Sequence, residues 1–191
     1  MNRIEKMQYA SNLVRARREA LQLPVSTTPT TIKDKTFYLN INVVGLAGGG
    51  KIRLIDSDLK KAVGITNFDG NKLAKGRILV VDSIRTKFTD VGATPQNADY
   101  NSTRFYKELQ GAELTLVQNK EVLIDLPLSD LQGFKQDDYR ELSNSPMIVD
   151  DLEFEWMLEI PKGISVPDSL NGVGNDVFLS IQLRCTEFYQ A

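Results

Sequence analysis

The stretch Leu152-Glu153-Phe154-Glu155-Trp156-Met157-Leu158-Glu159-Ile160 decides how this chain is read. Leu152, Phe154, Trp156, Leu158 and Ile160 fall on one side of an extended strand. Glu153, Glu155, Met157 and Glu159 fall on the other. Strict alternation of this kind marks a strand with one face in a core and one toward water. A slip of one residue would bury three carboxylates, so the register is strongly specified. The stretch predicts a large antiparallel sheet and carries no chemistry of its own.

Working outward, Val177, Leu179, Ile181, Leu183 and Cys185 alternate with Ser180, Gln182, Arg184 and Thr186. This final strand is apolar enough to be central, and Glu153, Glu155 and Glu159 are expected to face its Arg184 across strands. Arg77 to Phe88 reads as another long strand, with Ile78, Val80, Ile84 and Phe88 on one side. Glu113–Val117 and Glu121–Leu126 flank Gln118-Asn119-Lys120 as a hairpin. Phe37, Leu39, Ile41 and Val43 define a first strand, Gly45 to Gly50 a turn, and Ile52 to Ile55 a returning strand. Short strands are expected at Phe105–Leu109 and Met147–Val149, and a short helix at Leu59–Val63. Asp90–Thr103, Leu128–Tyr139 and Pro167–Asn175 read as loops, the second with one helical turn. About eight strands without alternating helices argue against a parallel α/β sheet. The expected class is all-β: an antiparallel β-sandwich of jelly-roll type.

Residues 2–22 read as a helix that Pro24 stops. Ile4, Met7, Leu13, Val14 and Leu21 give it a ragged apolar stripe, and Arg15, Arg17 and Arg18 crowd its later turns. The stripe is too sparse to hold an isolated helix in water, so the segment should dock. Three surfaces are open to it: its own domain, a neighbouring subunit, or nucleic acid. Ser26-Thr27-Thr28-Pro29-Thr30-Thr31 reads as a linker within Val25–Lys35, so residues 1–35 form a helical arm with its linker and 36–191 the body. Residues 1–35 carry a net charge of +4 and the remainder −6. A basic arm on an acidic body suits contact between copies, and less directly contact with polyanions.

With no histidine and one cysteine, the chain cannot build a Ser-His-Asp or Cys-His site, an intrachain disulfide or an ordinary zinc site. No cofactor is expected. No segment approaches the ~20 apolar residues of a membrane span, and Arg3, Glu5 and Lys6 are unlike a signal peptide. Gly45-Leu46-Ala47-Gly48-Gly49-Gly50-Lys51 matches the phosphate-cradling pattern, with Asp82 closing an apolar run as a magnesium-supporting aspartate would. Ile52 stands where a hydroxyl is needed, however, and the residues after Lys51 read as strand, so a hairpin turn is preferred. Asn67, Asp69 and Asn71 space oxygens as a calcium loop does but lack its sixth-position glycine and distal glutamate. Asp137-Asp138 and Asp150-Asp151 could serve hydrolysis, but read as solvated turn acids. Tyr38, Tyr100, Phe105, Tyr106 and Tyr139 could line a sugar-binding face, whereas Trp156 is in phase with the core.

The layout resembles the single jelly-roll structural proteins of viruses and bacteriophages. The likeness rests on the basic segment Arg3–Arg18, the linker Ser26–Thr31 and the strands Leu152–Ile160 and Val177–Thr186. It is a likeness of architecture. It implies a capsid or accessory virion protein, assembled in the host cytoplasm as a closed homo-oligomer. The arm residues Ile4, Met7, Leu13, Val14, Arg15, Arg17, Arg18 and Leu21 would then contact a neighbour, with loops and other virion proteins as further partners. A carbohydrate-binding β-sandwich is the alternative, and a nucleotide-hydrolysing enzyme built on Gly45–Lys51 a third.

Overall fold

The computed structural model describes residues 3–20, 22, 30–101, 106–132, 138–166 and 176–190. It opens with the helix α1 (Arg3–Ala20). The body carries nine strands among the described residues: β1 (Thr30–Asn42), β2 (Lys51–Arg53), β3 (Arg77–Thr89), β4 (Glu113–Gln118), β5 (Glu121–Pro127), β6 (Arg140–Glu141), β7 (Met147–Ile148), β8 (Phe154–Glu159) and β9 (Phe178–Gln190). Two single-turn helices, α2 (Lys107–Gln110) and α3 (Leu128–Leu131), lie between them.

The strands form two antiparallel sheets. One runs β1-β9-β3-β6, with β7 also on β3; the other runs β2-β8-β4-β5. β6 and β7 meet the same edge of β3 in continuing order, Ile84↔Arg140 and Ser83↔Glu141, then Val80↔Met147 and Leu79↔Ile148. They are one edge strand broken by the turn around Asn144-Ser145-Pro146, where Ser145 has φ +40°. Counting them together, the first strand pairs with the last, the second with the second-last, the third with the third-last, and the middle two with each other.

The inward faces pool their side chains in one core: Phe37, Leu39, Leu79, Val81, Ile84, Leu179, Ile181 and Leu183 from the first sheet, Leu114, Leu116, Phe154, Trp156 and Leu158 from the second. Alternation in β8 holds as read: Phe154, Trp156, Leu158 and the following Ile160 are buried, while Glu155, Met157 and Glu159 lie at the surface. Leu152 is the exception. The turn at Asp151, φ +61°, takes it out of phase. It packs instead in a second cluster with Ile78, Val80, Val149 and Phe188.

That second cluster corrects the reading of β3. The register runs Val81↔Cys185 and then Ser83↔Arg184, so Asp82 is an extra, bulged residue. A bulge reverses which face each later residue takes. Leu79 and Val81 face the main core before it, and Ile84 and Phe88 after it. Ile78 and Val80 therefore lie on the opposite face from Ile84 and Phe88, not on the same one.

Other departures have local causes. β1 begins at Thr30, so the second part of the expected linker, through Lys35, is strand paired to Cys185–Gln190 of β9. Leu59–Val63 holds no helix: Asp69 Oδ1 accepts from Lys61 N at 2.8 Å, and Leu59 O accepts from Gly70 N at 2.7 Å, closing turns instead. Lys107-Glu108-Leu109-Gln110, four good helix formers, make α2 where the sequence suggests a strand. Glu153, Glu155 and Glu159 cannot meet Arg184, because β8 and β9 belong to different sheets. Glu155 pairs with Arg53 and Glu153 with Lys72. The loop residues 167–175, with Leu21, Phe105, Asp137 and residues 23–29, fall outside the described residues.

Candidate functional site

Gly45–Lys51 is a corner that carries the chain from β1 in one sheet to β2 in the other, and not the hairpin turn that the sequence suggests, because β1 pairs with β9 and β2 with β8. Leu46 and Val166 are hydrogen-bonded around it, and Gly48 N donates to Ile164 O at 2.8 Å. A Cβ at Gly48 would collide with the carbonyls of Ile160 and Pro161, which explains that glycine without any phosphate. Lys51 opens a strand opposite Glu159, so the loop leads into no helix and offers no N-terminal anion site. Asp82 is the bulge residue and accepts from Thr186 Oγ1 at 3.3 Å.

Asn67 and Asp69 spend their side-chain groups on backbone partners, and Asn71 is tied to β8 through its backbone carbonyl. Asn67 accepts from Tyr38 N and donates to Thr36 O, Asp69 accepts from Lys61 N, and Asn71 O accepts from Phe154 N. The tyrosines do not form one platform. Tyr106 is buried in the core. Tyr38 accepts from Gly64 N, and Tyr100 donates to Pro95 O, with burial pushing its hydroxyl pKa up. The Tyr139 ring takes the guanidinium carbons of Arg85 and Arg184 at 4.2 and 4.0 Å from its centroid. Its hydroxyl donates to Gln182 Oε1, which also accepts from Arg85. Beside this cluster a groove of about 390 Å³ crosses the first sheet, lined by Asp34, Asp82, Glu141, Arg184 and Cys185 among others.

The most constructed polar site lies where α1 ends. Arg18 is 7% exposed, while Glu5, Gln8, Tyr9, Ser11, Asn12, Arg15, Ala16, Glu19 and Ala20 of the same helix are exposed. Its Nη1 meets Asp150 Oδ1 at 3.3 Å, and Asp150 is 2% exposed. The second oxygen of Asp150 accepts from Gly76 N at 2.6 Å. Two carboxylate oxygens, one cation and one backbone donor make a charge-compensated buried pair.

The loop carrying Asp150 is fixed from below. Gln118, fully buried at the end of β4, accepts from Val149 N at 2.8 Å. Its amide donates to Val149 O at 2.9 Å and Leu152 O at 3.1 Å. A parallel bridge between Leu73 and Asp150 ties the same loop to the segment before Gly76. Val149 sits in the second apolar cluster, so the pair lies at the rim of a dry patch.

Of the eight arm residues singled out by sequence, Arg18 makes this buried contact, and Arg15 pairs with Glu19 at 3.1 Å on the exposed helix surface. The backbones of Ile4, Met7, Leu13, Val14 and Arg17 lie in α1, while Leu21 lies outside the described residues. Asp150 is a buried partner and not the solvated turn acid that the sequence suggests. The available signal is its place beside the apolar run Met147–Val149, where an aspartate needs a partner if buried. Gln118 and Gly76 carry no sequence signal as seat-builders.

Among the described residues no helix is long and apolar enough to cross a membrane. Comparison with family models, with curated proteins and with solved structures returns no match for this chain.

Proposed function

We propose that the chain is a non-enzymatic structural protein that assembles with copies of itself, as a jelly-roll capsid or accessory component of a virion. The observation that carries this reading is the nesting of the strand pairs. A long hairpin folded on itself pairs first with last and so inward, and rolling it into two sheets yields an eight-stranded jelly roll. The strand orders β1-β9-β3-β6 and β2-β8-β4-β5 support this reading when β6 and β7 count as one broken strand. Fold alone does not assign function, so the reading also leans on the helical segment that precedes the sheets. That segment is basic, the body is acidic, and most of its described side chains face solvent. As an arm it would supply the area that a stable contact between copies requires.

The carbohydrate-binding alternative loses support from the tyrosines, whose hydroxyls or rings are engaged by the protein itself. The nucleotide-hydrolysing reading loses it from the corner at Gly45–Lys51, which leads into a strand and not a helix. Size-exclusion chromatography with light scattering on the full chain tests the proposal. The expected mass is a fixed multiple of 21.4 kDa that holds across a concentration series. A mass of 21.4 kDa throughout the series overturns it.

A further inference from the structure

We infer that the Asp150–Gly76 seat is a guanidinium receptor that takes Arg18 from its own chain in the monomer and from a second copy in the assembly. The inference rests on the self-assembly reading above and names the contact through which it works. The seat is prebuilt. Gln118 holds Val149 and Leu152 by three hydrogen bonds, and the Leu73–Asp150 bridge holds the other side, none of which involves α1. Removing the helix would therefore leave a carboxylate fixed at the rim of an apolar cluster, with one oxygen still on Gly76 N and the other without its cation.

With the helix seated, Asp150 is 2% exposed, and a carboxylate held at the rim of an apolar cluster favours the return of a cation. An arm that swings away to grip a neighbour cannot leave its own seat empty. Exchange solves this: each copy's Arg18 fills the other's seat, and every contact made within one chain is remade between two. Chain length permits it. Nine residues separate Ala20 from Thr30, and nine extended residues reach roughly 30 Å. Charge favours it as well, since the arm side is net positive and the body net negative. Among the helix side chains that are described, Arg18 is the buried one, which makes it the anchoring residue.

The test uses two full-length chains of opposite defect, Arg18→Asp and Asp150→Arg. Each alone places like charges in every possible contact, within or between copies. Mixed, the helix of the first variant brings a carboxylate to the seat of the second, which now holds a guanidinium. The unaltered Arg18 of the second variant meets the unaltered Asp150 of the first. Light scattering should show each variant as a monomer and their mixture at the wild-type mass. Either variant retaining the wild-type oligomer overturns the seat while leaving self-assembly standing. A monomeric wild type overturns both. A third variant, Asp150→Asn, keeps the shape and the Gly76 hydrogen bond, and guards against simple unfolding. Because the contact is made equally in the closed chain and in the exchanged assembly, this variant should ease release of the arm, speeding the exchange of subunits between labelled and unlabelled oligomers at least tenfold with unchanged near-ultraviolet circular dichroism. Unchanged subunit exchange in that variant overturns the inference.

Discussion

Cys185 faces the core with 3% exposure, and burial with nearby Asp82 pushes its thiol pKa up from its ordinary value of 9.0. A raised folded pKa means the native chain keeps a proton that the unfolded chain releases. The resulting stability is complete below pH 9 and is lost as pH rises beyond it, at about 1.4 kcal/mol per unit. Denaturant titrations at rising alkaline pH should show this decline, and Cys185→Ala should flatten it by one proton's worth; an identical slope in both chains would refute the assignment. Gln118 bears a different load. Gln118→Leu fills similar space but leaves Val149 N and two carbonyls without partners, at a cost of about 3 kcal/mol. The urea midpoint should fall with the slope unchanged. Single residues are legible in the sequence when their surroundings are local. Trp156 belongs to the core by its phase alone and is 1% exposed. Asp150 gives no such sign, because the arginine that justifies its burial is 132 residues away.

At the scale of elements, the β4–β5 hairpin turns through Asn119 and Lys120, both with positive φ, +49° and +65°. Paired left-handed residues give the mirror-image turn that matches strand twist, and glycine at the second position is its natural occupant. Lys120→Gly should therefore raise stability by roughly 0.5–1 kcal/mol, read as a higher thermal midpoint. At the opposite corner, Lys51→Ala should change stability by less than about 0.5 kcal/mol, as expected of an exposed strand residue. Gly48→Ala should be destabilising, because its Cβ meets backbone that cannot yield. Helix α1, β3, β8, β9 and this hairpin can be placed from periodicity, capping and turn residues. Their ends and irregularities cannot. Thr30–Lys35 looks like linker because threonine and lysine occupy both loops and strands, and β9 alone decides between them. Asp82 shows in the sequence as a polar residue interrupting the apolar side of the strand, a mark that a continuous strand and a bulged one share.

For the whole molecule, pairing is the part that periodicity does not supply. Which strand meets which is settled by shape over separations of up to 160 residues, as in Thr30↔Gln190. The same pattern predicts how the molecule opens. β9 is flanked on both sides over nearly its full length, by β1 and by β3. In the other sheet β8 and β4 are interior and β2 contributes three residues to an edge, while β6 contributes two to an edge of the first sheet. Opening that frees the short edges β2 or β6 exposes little apolar surface; opening that frees β9 dismantles the first sheet. Amide exchange should therefore be slowest in β9 and the facing part of β3, at or near the global unfolding free energy. β4 and β8 should come next, and β2 and β6 should exchange by local fraying. The α1 backbone should sit between these classes, held at its last turns by Arg18. Asp150→Asn should speed exchange in α1 while leaving the protection of β9 in place. Hydrogen exchange with mass spectrometry checks both statements on one sample. Fast exchange in β9, or α1 protection that ignores Asp150, would show that the helix and sheets are coupled in some other way.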